Sequence, residues 1–104
     1  NFNKDISSWH VSCVTTMAYI FSQATNFNQD IGSWNVSNVT NMDSVFANAI
    51  NFNQDISSWD VSSVTNMTNM FNSASALSDA NKCAIHTSFD TKTTAWTYDW
   101  SSLC

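Results

Sequence analysis

The chain has 104 residues, of which 43% are apolar and only 11% charged, and its net charge is -5 at pH 7. Lys4, Lys82 and Lys92 are its only lysines or arginines, too few to neutralise a run of phosphates, so the composition argues against nucleic acid as a partner. No apolar run approaches the roughly 20 residues of a membrane-spanning helix. The length predicts one domain.

Three copies of a 25-residue unit fill residues 1–75, aligned without insertion or deletion. We call residues 1–25, 26–50 and 51–75 the first, second and third copy. Each copy carries apolar residues at the same positions, which in the second copy are Phe27, Ile31, Trp34, Val36, Val39, Met42, Val45, Phe46 and Ala49. Self-similarity at a fixed period predicts a repeat architecture.

The spacing of apolar residues changes within each copy. Trp34 and Val36 are two apart, the period of a strand, whereas the steps of three, four and three from Val39 to Ala49 follow one face of a helix. Each copy is therefore predicted to be a short strand followed by a short helix. Stacked copies would join their strands into a parallel sheet, so the predicted fold class is an α/β solenoid. The helix N-caps would come from the columns Ser12, Ser37 and Ser62 or Thr15, Thr40 and Thr65.

Residues 76–104 break the repeat and are predicted to form a C-terminal cap. Ser78 is a candidate N-cap for a helix over about 79–89, with Ala80, Cys83 and Ala84 as its small buried face. Aromatic residues spaced by two then suggest an extended segment that covers the last copy or offers a small binding surface. These residues are Trp96, Tyr98 and Trp100.

Three cysteines allow at most one disulfide within the chain. We favour Cys83 with Cys104, both in the predicted cap, which would leave Cys13 as a free thiol. The alternative is a reduced pair in a cytosolic protein.

The third copy, NFNQDISSWDVSSVTNMTNMF over residues 51–71, resembles the repeat of BspA-like leucine-rich-repeat surface proteins. The resemblance covers residues 1–75. Ile6, Trp9 and Val11 occupy the spacing of the leucine-rich LxxLxL strand, which implies a curved α/β solenoid, a leucine-rich-repeat-like stack of three strand-helix coils with a C-terminal cap. The sequence departs from that pattern where valines replace the usual buried Asn ladder, at Val14, Val39 and Val64. The resemblance implies surface display, adhesion to proteins or glycans and no catalytic activity.

No convergent set of acid, base and nucleophile is evident, so we predict that the chain is not an enzyme and has no cofactor and no metal site. His10 and His86 are the only histidines. His10 is predicted to point outward beside Trp9. Cys83 and His86 could share a helix face as metal ligands, but local packing is the preferred interpretation of His86.

The Asp column, Asp5, Asp30 and Asp55, has two interpretations. The preferred one is that each carboxylate accepts backbone N–H bonds in the turn before the Ile. The alternative is a calcium ladder, which would need six or more oxygen ligands and lacks a glycine-rich loop. For Trp9, Trp34 and Trp59, core packing is preferred over stacking on carbohydrate.

The predicted function is a non-catalytic extracellular repeat module for surface adhesion or for protein or glycan recognition. Its candidate binding strip is the set of outward residues Ser8, His10, Ser12, Ser33, Asn35, Ser37, Ser58, Asp60 and Ser62. The central residue of each trio varies between constant serines, as expected of a tunable strip. The alternatives are a building block of a surface sheath or filament and, on the Thr15, Thr40 and Thr65 column, an ice-binding array.

Three glycosylation sequons, at Asn35, Asn38 and Asn66, favour an extracellular or cell-surface location. The predicted partners are a protein or glycan on another surface, or copies of the chain itself. Trp9 and Val11 of the first copy would stand at an uncovered strand edge, which upstream copies of a longer array are expected to cover. The alternative is association through that edge, so the isolated 104-residue chain is expected to dimerise or aggregate.

Overall fold

The structure is a computed structural model, and it describes Ile6, Trp9 and residues 11–104. In that part of the chain, helices are confined to the C-terminal region: α1 spans Asp79–Lys92 and a short 3-10 helix spans Ser101–Leu103. The copies are joined by isolated parallel β-bridges, from Thr16 to Asn41 and from Asn41 to Asn66. The molecule is a compact globule with principal extents of 32 × 29 × 20 Å.

The predicted α/β solenoid is wrong, because the described part of the copies contains neither the expected strand nor the expected helix. Where the strand was predicted, backbone bonds close successive tight turns instead. The Trp34 amide donates to the Ile31 carbonyl at 3.1 Å, and the Val39 amide donates to the Val36 carbonyl at 3.0 Å. Amides committed to local turns cannot join a sheet. For the same reason the Ser and Thr columns cap no helix.

Where the helix was predicted, backbone amides alternate between two kinds of partner. In the first copy, the amides of the even-numbered residues Ile20, Ser22 and Ala24 donate to the carbonyl three residues back, each at 3.1 Å. The intervening amides donate to the next copy at 2.7 to 3.0 Å. These bonds run from Met17 to Asn41, Tyr19 to Asp43, Phe21 to Val45, Gln23 to Ala47, Met42 to Asn66, Ser44 to Thr68, Phe46 to Met70 and Asn48 to Asn72. A helix would use all amides within one segment, whereas here half of them join neighbouring copies.

Left-handed residues explain why the segment does not wind into a helix. Two positions of each copy have positive φ, between 56° and 64°. They are Tyr19, Ser44 and Asn69 at the first position and Gln23, Asn48 and Ser73 at the second. A right-handed helix needs negative φ throughout. Recurrence in every copy shows that the repeat itself specifies this conformation.

The core is a set of aromatic columns that run through the copies. Rings of Phe21, Phe46 and Phe71 stack with centroids 5.7 and 5.5 Å apart, and Phe46 also stacks on Phe52 at 4.1 Å. Leu77 continues the Phe52 column and is buried. The apolar positions assigned from the sequence are therefore largely the buried ones in the second and third copies.

The first copy departs from the predicted core. Trp34 and Trp59 are buried, but Trp9 is 55% exposed and Ile20 is 46% exposed. The core assignment of Trp9 and Ile20 is therefore wrong. Their counterparts in the second copy, Trp34 and Val45, are buried, and Trp34 packs against Trp9 and Phe21 of the first copy. No described residue covers the outer side of the first copy itself.

Helix α1 begins where its sequence predicted and ends three residues beyond the predicted limit. The Ser78 hydroxyl accepts the Asn81 amide at 3.2 Å, the geometry of an N-cap. The predicted buried face is wrong: Ile85 and Phe89 are the buried residues of α1, and Ala80 is exposed. Burying large side chains from one turn to the next anchors the helix more strongly than alanines would.

Candidate recognition surface and cap

The described members of the binding strip lie on the surface, at the turns. Ser12, Ser33, Asn35, Ser58, Asp60 and Ser62 are exposed, and Ser37 is half-buried. Ser8 and His10 lie outside the described residues. Because the predicted strand is absent, these side chains do not alternate along a strand but project from consecutive tight turns.

Asn35 and Asp60 are held by the same local motif. The Asn35 side-chain oxygen accepts the Ser37 amide at 3.1 Å and the Ser37 hydroxyl at 2.6 Å. The Asp60 carboxylate accepts the Ser62 amide at 3.1 Å. In both cases a short polar side chain bonds to the backbone two residues on, which fixes its direction. The constant serine thus positions the variable residue.

Asp60 is the only described residue of the strip with an ionisable carboxylate. Hydrogen bonds from the Ser62 hydroxyl and amide lower the pKa of Asp60, and the positive charge of Lys92 lowers it further. Lys92 itself donates to the Trp59 carbonyl at 3.1 Å. Asp60 is therefore ionised over the physiological pH range and carries its negative charge at the surface.

Neighbouring copies are tied together beside the strip. The Ser58 hydroxyl donates to the Gly32 carbonyl at 2.7 Å, and the Asn38 amide group donates to the Ser12 carbonyl at 2.8 Å. These bonds place corresponding turns of adjacent copies side by side. The structure therefore brings Ser12 and the trios of the second and third copies to one surface, although Asn35 and Asp60 do not bond to each other.

The other polar columns have structural bonds. Asp30 and Asp55 accept the amides of Gly32 and Ser57 at 3.0 and 2.8 Å, so both carboxylates accept a backbone N–H as predicted, but from the residue after the Ile and not in a turn before it. Asp5 lies outside the described residues. The Thr40 hydroxyl donates to the Thr15 carbonyl at 3.2 Å, so the threonine hydroxyls that an ice-binding array would use already bond along the column.

The sequon asparagines differ in exposure. Asn35 and Asn38 are exposed, whereas Asn66 is half-buried and its side-chain oxygen accepts the Thr68 amide at 2.9 Å. The Asn38 amide group that a glycan would modify bonds to the Ser12 carbonyl. Glycosylation at these residues stays a prediction.

A column of asparagine side chains that includes Asn28 and Asn53 was not predicted from the sequence. The Asn28 side-chain oxygen accepts the Asn53 amide at 2.9 Å, and the Asn53 oxygen accepts the Ser78 amide at 2.8 Å. Asn53 also accepts from the side chain of Asn81 at 2.9 Å. The signal was present, because an Asn recurs at this position in every copy. This column connects the repeat to the first turn of α1.

The cap is closed by a disulfide and by one histidine. Cys83 is bonded to Cys104, as predicted, and Cys13 is a free, exposed thiol. The interpretation of Cys83 and His86 as metal ligands is thereby wrong. His86 Nδ1 accepts the Trp96 indole N–H at 3.0 Å and the Trp100 amide at 3.4 Å. An accepting Nδ1 requires that the proton of the neutral ring is on Nε2.

The cap aromatics pack against the third copy instead of forming an open binding surface. Trp96 is buried and meets Phe89 edge-on at 5.3 Å. The Tyr98 hydroxyl accepts the Phe71 amide at 3.0 Å. Burial raises the pKa of Tyr98, and the bond from the Phe71 amide partly opposes that shift. The ring centroids of Trp100 and Phe71 are 5.3 Å apart, so Trp100 also covers the third copy.

No chemistry-bearing cluster was found in the described part of the chain. There, no three His, Cys, Asp or Glu side chains are close enough to share a metal ion. Helix α1 is too short and too polar to cross a membrane, and the residues described include no other candidate span.

The structure thus defines a repeat protein whose copies bond through their backbones and whose last copy is covered by a disulfide-closed cap. The chain matches, over residues 1–99, the family described as Mycoplasma protein of unknown function, DUF285, and it belongs to that family. Searches of curated proteins and of solved structures gave no match.

Proposed function

We propose that the chain is a non-catalytic extracellular module that recognises a protein or glycan through its turn-borne strip. The observation that carries the proposal is the paired geometry of Asn35 and Asp60. Both are exposed, both are oriented by a bond to the serine two residues on, and they differ in charge. An invariant scaffold that presents variable polar side chains in fixed directions is suited to recognition, since little ordering entropy is lost on binding.

The extracellular location is supported by the bond between Cys83 and Cys104, since disulfides persist mainly in oxidising compartments. The resemblance to BspA-like surface proteins supports the same role, although the described part of the copies lacks the strand-helix coil of leucine-rich repeats. We therefore propose a shared role in surface display without a shared backbone conformation.

The test is binding to protein and glycan arrays, followed by affinity measurement on any target found. Asn35→Ser and Asp60→Ser remove the variable groups, but serine can still accept the amide two residues on. Asn72→Ser and Asp90→Ser are matched controls at exposed positions outside the strip. We expect each strip variant to weaken binding at least about tenfold, or about 1.4 kcal/mol, with the controls unchanged.

Equal loss in strip and control variants, or no target on either array, would contradict the proposal. The alternative, a building block of a sheath or filament, rests on the exposed Trp9 and Ile20 of the first copy. Fibres in negative-stain images of the purified chain, together with empty arrays, would favour that alternative.

A further inference from the structure

The outer side of the first copy presents a row of backbone acceptors. The carbonyls of Thr16, Ala18, Ile20 and Ser22 have no partner among the described residues. In the second copy the corresponding carbonyls, of Asn41, Asp43, Val45 and Ala47, each accept an amide of the first copy. We call the four carbonyls of the first copy the acceptor edge.

The acceptor edge carries almost no donors, because its amides are already used. The Ile20 and Ser22 amides donate to carbonyls three residues back at 3.1 Å, and the Ala18 amide donates to the Thr16 hydroxyl at 3.3 Å. An ordinary strand edge alternates donors and acceptors and can pair with another edge like itself. Two acceptor edges cannot pair, since carbonyl would face carbonyl.

Two donors flank the row. In the second and third copies the tryptophan indole N–H donates to the preceding copy, Trp34 to the Ile6 carbonyl at 3.2 Å and Trp59 to the Ile31 carbonyl at 2.9 Å. The Thr40 amide likewise donates to the Thr15 carbonyl at 2.8 Å. The equivalent groups of the first copy, Trp9 Nε1 and the Thr15 amide, have no partner in the described part of the chain.

Apolar surface surrounds these polar groups. Tyr19 is 60% exposed, and Trp9 and Ile20 are about half exposed. Large apolar side chains around a row of unpaired backbone groups are typical of an interaction surface. The counterparts of these residues in the second copy, Trp34, Ser44 and Val45, are buried, whereas no described residue buries Trp9, Tyr19 or Ile20.

We propose that the acceptor edge, with Trp9 and Ile20, is a docking surface for another copy of this repeat, which contributes its donor edge. The donor edge is the set of amides that in the second copy belongs to Met42, Ser44, Phe46 and Asn48. Those amides match the four carbonyls in number, spacing and direction. The interfaces within the chain show the same match twice, so the occupant is identified by complementarity.

The proposal also predicts that the 104-residue chain does not pair through two copies of this surface. Its own donor edge is obstructed, because the Phe71 amide already donates to Tyr98 and the cap aromatics cover Phe71. A second 104-residue chain therefore offers no free donor edge among its described residues. Self-association through this edge, expected from the sequence, is replaced by addition of a further copy whose donor edge is free.

The test adds a duplicate of residues 26–50 directly before residue 1 of the full chain. Both proteins are labelled with 5-fluorotryptophan, and the Trp9 fluorine resonance is assigned from its loss in Trp9→Phe. We expect the shift of this resonance between H2O and D2O to fall at least about threefold when the duplicate is present, because the ring becomes buried. The melting temperature should rise by more than about 5 °C.

The control carries Phe46→Asp and Val45→Asp within the duplicate alone, which should restore the solvent shift and melting temperature of the 104-residue chain. Duplication that leaves both quantities unchanged would overturn the proposal. Dimerisation of the 104-residue chain in sedimentation equilibrium, with protection of Trp9, would also overturn it. The acceptor edge would then be covered by a second molecule whose own donor edge is obstructed.

Discussion

The repeats and the cap are held to their neighbours by different groups. Copies are joined by backbone amides that donate to backbone carbonyls, eight of them in two parallel rows, and by side-chain bonds beside these rows. The cap reaches the third copy through side chains: the Ser88 hydroxyl donates to the Ser57 carbonyl at 2.6 Å and the Thr93 hydroxyl to the Val64 carbonyl at 2.7 Å. The difference shows how this periodic structure ends: rows of backbone bonds connect copy to copy, and no such row continues from the third copy to the described cap.

That comparison predicts where the molecule is most sensitive. In the repeats, loss of one central side chain should affect two neighbouring copies at once, because a ring such as Phe46 stacks on Phe21 of the first copy and on Phe71 of the third. In the cap, loss of one contact should affect the cover of the third copy alone. The predictions below test this difference, from the largest expected effect to the smallest.

The largest effect is expected at the tryptophan column. Trp34→Ala removes a buried ring and its bond to the Ile6 carbonyl, so it should lower the free energy of unfolding by about 3 to 5 kcal/mol. Chemical denaturation followed by circular dichroism measures it. Trp9→Ala is the matched control, with a loss of about 1 kcal/mol or less, since that ring is exposed. Equal losses would mean that Trp9 is buried as well.

The disulfide should have the next largest effect. Cys104→Ser opens a loop of 21 residues and should cost about 2 to 4 kcal/mol, because the unfolded cap gains conformational freedom. Cys13→Ser, at an exposed free thiol, should leave stability unchanged. Thermal melts with and without a reductant give the comparison. A reductant-sensitive melt in Cys104→Ser would indicate that a different pair of cysteines is bonded.

Replacement of His86 tests the polar centre of the cap. His86→Leu leaves the Trp96 indole N–H and the Trp100 amide without an acceptor, which should cost about 1 to 3 kcal/mol. His86→Asn is the matched variant, because its side-chain oxygen can lie near the former Nδ1 and accept at least one of these bonds. Urea denaturation followed by tryptophan fluorescence distinguishes the two variants. Similar losses of stability in the two variants would mean that His86 stabilises the cap by packing of its ring and not by accepting these hydrogen bonds.

The left-handed positions test the backbone of the repeats. Ser73→Gly should stabilise the chain by about 0.5 to 1 kcal/mol, since glycine adopts a φ near 60° without steric cost. Ser75→Gly makes the same replacement at an exposed position without positive φ and should destabilise the chain slightly. Melting temperatures in parallel are sufficient. A loss of stability at Ser73 would argue that the segment is helical after all.

The repeats and the cap also show how much of the structure could be predicted from the sequence. The register of the copies, the burial of Trp34 and Trp59, the start of α1 at Ser78 and the disulfide were all accessible from residue types and spacing. The backbone path was not. Steps of three, four and three fit one helix face, but they also fit alternating turns, and no glycine marks the left-handed positions because the chain's single glycine is Gly32.

The exposure of Trp9 shows a second limit. Its residue type and register are those of Trp34 and Trp59, and periodicity therefore assigned it to the core. Burial depends on a neighbour on each side, which the local sequence does not report. The described residues of the candidate strip lie at the surface, and the strand predicted to carry them is replaced by the turns that orient Asn35 and Asp60.

The smallest effect is expected from the ionisation of Tyr98, whose hydroxyl bonds the cap to the third copy. Burial raises the pKa of Tyr98 above its ordinary value of about 10. The folded chain thus favours the neutral phenol, so this contribution to stability is complete below pH 10 and is lost as the pH rises through 10 toward the folded value. Between pH 9 and 11 the wild-type melting temperature should fall more than that of Tyr98→Phe, which cannot ionise. Tyr19→Phe, at the exposed tyrosine, should follow the wild type. If Tyr98→Phe and the wild type fall in parallel, the Tyr98 hydroxyl is open to water and does not help to join the cap to the third copy.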